Sequence, residues 1–382
     1  MIRRPPRSTP KPSSAASDVY KRQSSKRCLL VLFGGRSAEH NVSCVSARHV
    51  IEAADPELYE VIPVGIDRSG NWHLAEKAIE ELKTNNLQEN LEPTGPTWNP
   101  NIELPKLSSE KNLIVFPLLH GPLGEDGTIQ GLLEVIDVPY IGSGVLGSAL
   151  AMDKIATKEI LTHHKIPQAR YRDVHSKRFE DLDNEGMKSL LSELLKELGP
   201  VVFVKPANLG SSIGVSKASD HDSLKESLEK AFAYDEWLVV EEAIEGREIE
   251  LSVLGDLVPQ VSPPGEIKPM GDFYDYAEKY ENDSAELIDE PSIEPNLVVN
   301  LQQVAARSFL ALRCSGMARV DFFLHPERGP ILNEVNTIPG FTPISMYPRL
   351  WQKAGLSYSD LVDRLADIAI ERFSRKRRNT AI

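Results

Sequence analysis

The chain has 382 residues, a formal net charge of −13, 41% hydrophobic residues and 26% charged residues. That length divides into two or three packed units, and the balance is that of a folded, water-soluble protein rather than a disordered one. The acidic charge argues against nucleic acid or an anionic membrane as main partner, no apolar run approaches the roughly 18 residues that membrane insertion as a span needs, and three widely spaced cysteines (Cys28, Cys44, Cys314) read as reduced thiols rather than a disulfide framework or zinc site.

In chain order, residues 1–27 stand apart. They hold eight Lys/Arg and one acid, Asp18, a net +7 that leaves −20 on the rest. They are rich in Pro and Ser, show no apolar periodicity and lack a signal peptide's apolar segment. Such a basic, acid-poor make-up also suits an organelle transit peptide. The string SSAASDVYKRQ, however, resembles translated sequencing-adapter read-through, and the segment is read as a disordered, non-native leader.

The folded part opens with an apolar strand, 28–33, running into Gly34-Gly35. A helix is expected over 37–54 and a strand over 59–66. Residues 75–110, polar and rich in Asn and Pro, read as an insertion or long surface connection. A buried strand at 113–118 precedes His120-Gly121. Strand–helix alternation of this kind predicts a small parallel α/β unit over 28–147. From 148 the pattern changes. A helix at 152–164 leads to a hairpin made of strand 201–205, a Gly/Ser loop at 208–212 and an extended stretch at 213–217. Helix 222–232 and strand 238–242 complete an antiparallel α+β unit, 148–244. The last unit, 245–382, has an alternating strand at 248–254, a Pro-, Gly- and Asp-rich long loop at 264–290, a helix at 296–312, strands at 317–324 and 330–335, and one or two closing helices over 350–373. Long loops inside compact domains are usually functional. There is no internal repeat, and the basic tail 375–378 reads as frayed.

Five constellations carry chemistry. In Arg319-Val320-Asp321 and Glu334-Val335-Asn336, residues two apart share a strand face. Adjacent strands would gather Asp321, Glu334 and Asn336 as hard oxygen ligands for Mg²⁺, with Arg319 balancing charge on a phosphate or oxyanion. The competing reading is a solvated strand face with a surface salt bridge. In KPANLGSSIG (205–214) a lysine ends a buried strand and small residues let backbone N–H groups approach phosphate. It is not a P-loop, because Lys205 precedes the loop, and an ordinary hairpin turn is the alternative. Glu241-Glu242-Ala243-Ile244 with Glu248 can offer backbone groups to an adenine edge and a carboxylate to ribose; an exposed acidic loop is the blander reading. In GGRSAE (34–39), Glu39 suits a cationic amine at a helix start, or else Ser37 caps and Glu39 favours the dipole. His120, in HGPLGEDG (120–127), falls beyond a strand's carboxyl end, where ligands sit in α/β sheets, although a lone histidine among turn residues is usually structural.

Eight strings in order, GGRSAEHNVS (34–43), HGPLGEDG (120–127), AMDK (151–154), VKPANLGSSIGV (204–215), EGREIELSVL (245–254), FYDYAEKY (273–280), ARVDFF (318–323) and NEVNTIPGFTPISMYP (333–348), make residues 28–373 resemble the D-alanine–D-alanine ligase family of the ATP-grasp superfamily. The resemblance implies a three-domain ATP-grasp architecture of α/β and α+β units. An N-terminal Rossmann-like parallel-sheet domain (28–147) would be followed by a central subdomain (148–244) and a C-terminal one (245–382) carrying the 264–290 loop as a lid. It implies a cytoplasmic homodimer that joins two D-alanines through a D-alanyl phosphate for peptidoglycan precursors, using ATP and two Mg²⁺ or Mn²⁺. Residue by residue, Glu39 would hold the first D-alanine's ammonium, with His120 also among the substrate contacts. Lys154, Lys205, Gly210, Ser211 and Ser212 would contact ATP phosphates, and Glu241, Ile244 and Glu248 adenine and ribose. Asp321, Glu334 and Asn336 would bind the metals. Arg319 and the backbone at Gly340 would stabilise the tetrahedral oxyanion. Ser345 and Lys279 would receive the second D-alanine's carboxylate, and Tyr280 would close the site towards Ser211 and Glu39.

The sequence departs from the family in three places. Ala277 precedes Glu278, where the family lid commonly has Glu before Ala. Residues 207–209 are a variable part of the loop, and the leader has no counterpart. Lys279-Tyr280 matches the lid of dipeptide-forming enzymes and favours an amine as second nucleophile. The rival readings are a ligase using D-lactate or D-serine and a catalytically silent ATP-binding protein. A dinucleotide oxidoreductase is disfavoured because GxGxxG is absent.

Overall fold

The computed structural model describes residues 26–84, 90–268 and 286–376. The first apolar run is buried beyond its first residue, as befits a strand covered on both faces. This strand, β1 (Arg27–Gly34), leads to α1 (His40–Ala53), β2 (Tyr59–Ile66), β3 (Trp72–Leu74), α2 (Glu76–Lys83), α3 (Pro100–Glu110), β4 (Leu113–Pro117), α4 (Thr128–Ile136) and α5 (Val145–Met152). The sheet order is β3-β2-β1-β4; β1 runs parallel to β2 and β4, and β3 is antiparallel.

Two expectations change here. Helix α1 begins at His40 rather than 37, because the Ser37 hydroxyl accepts from the Glu39 N–H at 3.2 Å and does not cap the helix. Much of the expected connection over 75–110 is helical. Asn99 caps α3 by accepting from Asn101 N–H, and Pro100 presets the first turn. Within α3 only Leu104 is fully buried, so the polar composition concealed a surface helix.

The second sheet follows α6 (Lys154–His163) and contains β5 (Tyr171–His175), then, after α7 (Ser176–Glu180) and α8 (Asn184–Leu198), β6 (Val202–Pro206) and β7 (Ser216–Ala218), and, after α9 (His221–Ala231), β8 (Trp237–Glu242). All pairings are antiparallel, in the order β5-β8-β6-β7. The helix expected over 152–164 is interrupted at Asp153. That residue is extended, and its carboxylate accepts from Ile155 and Ala156 N–H, so α6 starts afresh with Lys154 in its first turn. The β6–β7 hairpin holds Ser211 (φ 51°) and Ser212 (φ 58°) left-handed. Such strain costs on the order of 1–3 kcal/mol per residue and persists mainly at ligand-binding loops.

The third sheet comprises β9 (Arg247–Gly255), β10 (Gln260–Val261), β11 (Gly265–Lys268), β12 (Glu286–Ile288) and, beyond α10 (Pro295–Ala311), β13 (Gly316–His325) and β14 (Gly329–Asn336). Its order is β12-β11-β9-β13-β14, with β10 on β9. The loop expected over 264–290 therefore carries short paired strands at both ends. Its middle, with Lys279 and Tyr280, lies outside the described residues. The chain closes with α11 (Met346–Lys353) and α12 (Tyr358–Lys376), the first starting earlier than 350.

Packing does not follow chain order. Leu29, Val31 and Phe33 of β1 share a core with Phe341, Tyr347 and with Leu361, Val362 and Leu365 of α12. The opposite face of β1, Leu30 and Leu32, packs on Val115 and Leu133. The closing helix thus covers one face of the first sheet and holds the first and third units against each other. The three cysteines are buried and unpaired. Among the described residues, no helix is long and apolar enough to cross a membrane.

Candidate active site

The second and third sheets face each other across a cleft of about 1030 Å³, lined by Lys154, Lys205, Gly210, Ser212, Glu241, Ile244, Glu248, Glu250, Asp321, Asn333 and Glu334 among others. One wall is acidic. On β13 the alternation puts Val320 and Phe322 into the core and leaves Arg319 and Asp321 towards the cleft. In the register, Asp321 lies opposite Glu334 on β14 and Glu250 on β9, and Arg319 opposite Asn336. Arg319 grips Asp321 with two bonds of 2.8 and 2.7 Å and stands 3.2 Å from Glu250. Burial alone would lower the guanidinium's pKa; the charges of Asp321, Glu250 and Glu334 outweigh it and push it well up. This ion pair is half-buried in the cleft wall, not solvated on an outer face.

A register shift between Asp321 and Phe322 leaves Asn333 as an extra residue on β14. The bulge lets Asn333 Oδ1 accept from Lys205 Nζ at 3.2 Å while Glu334 still faces Asp321. Asn336 Oδ1 accepts from Ile338 N–H at 3.0 Å. Among the described residues no three His, Cys, Asp or Glu side chains form a ready-made metal cage. A hard cation that keeps waters and phosphate oxygens as ligands needs only one or two carboxylates, and the Asp321, Glu334 and Asn336 oxygens fit that chemistry.

The other wall is cationic. Glu241 and Glu242 end β8 buried, not in an exposed loop. Glu242 meets Arg170 and Arg328 at 2.8 and 2.9 Å. Glu241 meets Lys205 at 3.0 Å and Lys158 at 3.3 Å. Burial would raise the Glu241 pKa, but these two lysines hold it down at about 2. Lys154 Nζ donates to the carbonyl of Leu209 in the hairpin loop. Burial pulls the pKa of Lys154 down.

The first unit meets the cleft at the hairpin loop. Buried Glu39 accepts from Ser211 Oγ, so α1's start and the hairpin loop meet. A side chain on Gly210 would meet Glu39 Oε2 at 3.4 Å and Glu125 Oε1 at 3.8 Å. Glu125 accepts from Gly121 N–H at 2.9 Å; even so, burial and then the charge of Glu39 push its pKa up to about 8. His120 Nδ1 lies 2.9 Å from the Ile338 carbonyl, which can only accept, so Nδ1 carries the hydrogen. Its Nε2 faces Ser46 Oγ at 3.4 Å, and Ser46 accepts from Phe341 N–H at 3.1 Å. Burial lowers the imidazole's pKa. A Cβ at Gly340 would stand 2.6 Å from Ser345 Oγ, so a side chain there would have to push that hydroxyl aside.

The structure therefore gathers Lys154, Lys205, Gly210, Ser212, Glu241, Ile244, Glu248, Asp321 and Glu334 on one cleft, with Arg319 and Asn336 beside Asp321 and Glu334. Glu39 and Ser211 join them through the loop, and His120 ties to the segment leading to Gly340 and Ser345. Lys158, Glu250, Asn333, Glu125 and Ser46 were not foreseen. Lys158 had a signal, standing four residues from Lys154 on one helix face, and so did Glu250, two from Glu248 on a strand. Asn333 had none, because only the bulge turns it inward.

Two antiparallel sheets closing on a Gly/Ser hairpin loop that follows Lys205, and on an acidic strand pair, define an ATP-grasp cleft. The family model described as D-ala D-ala ligase N-terminus matches residues 28–143, and that described as D-ala D-ala ligase C-terminus matches residues 160–367. The D-alanine–D-alanine ligase of Halothermothrix orenii is 46% identical over 91% of this chain and 99% of its own length, and that of Bacillus velezensis 42% over 90% and 98%. Among solved structures, the D-alanine-D-alanine ligase from Coxiella burnetii superposes with a TM-score of 0.74 at 32% identity, covering 92% of this chain and 97% of its own. The VanG D-Ala:D-Ser ligase from Enterococcus faecalis gives 0.74 at 33%, covering 90% and 100%. The chain belongs to the D-alanine–D-alanine ligase family.

Proposed function

We propose that the protein joins two D-alanines in an ATP-dependent reaction, through a D-alanyl phosphate, to supply a peptidoglycan precursor. The observation that carries this reading is the division of one cleft into a lysine-lined wall and a carboxylate-lined wall that meet at Asn333 and Lys205. A polyanionic nucleotide belongs at the first, and metal ions at the second.

In this reading Lys154, Lys205 and the Gly210, Ser211, Ser212 loop take the ATP phosphates, while Glu241, Ile244 and Glu248 border adenine and ribose. Glu39 receives the first ammonium, with His120 beside it as a backbone-anchored group. Asp321, Glu334 and Asn336 hold two Mg²⁺ or Mn²⁺, and bound metal supplies charge neutralisation between the attacking carboxylate and the γ-phosphate. Asp321 and Glu250 hold the Arg319 guanidinium in place. Together with the backbone at Gly340 it faces the oxyanion formed when the second amine attacks the acyl carbon. Ser345 and Lys279 receive the second carboxylate, and Tyr280 closes the lid, which protects the acyl phosphate from water. Residues 28–147 are the substrate domain, 148–244 and 245–382 the two ATP-grasp subdomains, and the protein works as a cytoplasmic homodimer.

Phosphate release tests the reading. Protein lacking residues 1–27 is given ATP and Mg²⁺ with D-alanine, L-alanine, D-alanine plus D-serine, or D-alanine plus D-lactate, and products are identified by mass. Release that requires D-alanine and yields the dipeptide is expected. A mixed D-serine or ester product would move the acceptor assignment, and no release from folded, ATP-binding protein would leave a silent binder.

A further inference from the structure

Lys158 has no place in the roles above, and we infer that it is a positioning residue that keeps the phosphate wall cationic by sharing Glu241 with Lys205. The inference rests on the reading of Lys205 as a contact to ATP phosphates. Each oxygen of Glu241 has its own lysine: Oε1 lies 3.3 Å from Lys158 and Oε2 3.0 Å from Lys205. Lys205 with Glu241 alone would be a neutral pair, with little attraction for a polyanion. Lys158 restores a net charge of one to the group. It also occupies Glu241 Oε1, so the carboxylate cannot turn both oxygens on Lys205.

Lys158 does this from behind. It is 3% exposed and does not line the cleft, whereas Glu241, Lys205 and Asn333 do. Its position is fixed on three sides. The ammonium sits 5.3 Å from the centre of the Tyr171 ring, Tyr171 lies directly across from Glu241 in the β5–β8 register, and the Lys158 carbonyl accepts from Gln168 Nε2 at 2.8 Å. The second partner of Lys205, Asn333 Oδ1, is neutral. Of the three donors on the Lys205 ammonium, one is left for a phosphate oxygen.

The test is calorimetric titration of the full chain, without metal, with ATP, ADP and adenosine. The proteins are wild type, Lys158→Met, Lys158→Arg, Lys205→Met and the double variant Lys158→Met/Glu241→Gln, each checked for folding by circular dichroism. An electrostatic role predicts ~10-fold weaker ATP binding in Lys158→Met, a smaller loss for ADP, less than ~2-fold for adenosine, and near-normal affinity in Lys158→Arg. The double variant removes both buried charges and leaves the charge of Lys205 uncancelled, so whatever it loses at the ribose through Glu241 should be equal for ATP and adenosine; a larger loss for ATP than for adenosine overturns the inference, and this comparison stands should the single variant not fold. In Lys158→Met, unchanged ATP affinity, or a loss equal for all three ligands, overturns the inference. If Lys205→Met itself leaves ATP affinity unchanged, the phosphate reading of the cleft has failed instead.

Discussion

Glu241 and Glu125 are the same side chain at similar depth, yet their protons are held in opposite ways. Glu241 stands between Lys158 and Lys205 and stays ionised down to about pH 2. Glu125 has one backbone N–H and the nearby charges of Glu39 and Glu334, and burial raises its pKa to about 8. The difference is one of neighbours, not of residue type, and it divides the cleft. The lysine wall has positive charge to offer an anion, while the carboxylate wall, with Arg319 shared between Asp321 and Glu250, calls for cations from outside.

The largest test of this division is Glu334→Gln. Removing a carboxylate from the acidic wall should cost more than ~100-fold in turnover through loss of metal. Phosphate release at saturating ATP and D-alanine measures it, and near-normal turnover in folded protein would refute the metal assignment. Glu250→Gln should be milder, about 10-fold in kcat/KM, because Arg319 loses one of two carboxylate partners. ATP affinity should be unchanged; a fall there would mean that Glu250 serves the nucleotide and not Arg319.

The pH response sharpens the same contrast. The Glu241 pKa is depressed from its usual 4.5, so its stabilisation is complete above that value and is lost as pH falls towards about 2. The Glu125 pKa is raised, so the folded state binds the extra proton, and stability falls as pH rises from 4.5 towards about 8. Melting temperatures of metal-free protein should therefore decline less between pH 5 and pH 8 in Glu125→Gln than in wild type. Parallel curves would show that Glu125 is ionised throughout. The smallest effect is expected for Ser46→Ala, roughly 1–3 kcal/mol of stability, because the Phe341 N–H loses its buried acceptor. Urea unfolding reads it directly.

How far the sequence could be read depended on how each residue reaches the cleft. Pairs two apart on strands, such as Arg319 with Asp321 and Glu334 with Asn336, were legible because strand alternation alone sets their face. Lys205 was legible because it ends an apolar strand before a glycine-containing loop. Asn333 was not, since a register shift decides its direction and nothing in the local composition marks it. The helices in 75–110 were hidden because they bury little, and the break at Asp153 because its capping role depends on backbone geometry. Nor did periodicity reveal that α12 would cover the first sheet, a contact between residues more than 300 apart in the chain.

The most direct test of the divided cleft is a pair of titrations on two variants, Lys205→Met and Glu334→Gln: ATP without metal by calorimetry, and Mn²⁺ by electron paramagnetic resonance. The account predicts that Lys205→Met loses ATP affinity and keeps Mn²⁺, while Glu334→Gln keeps ATP and loses Mn²⁺. Folded variants that each lose both ligands, or the reverse pattern, would contradict it.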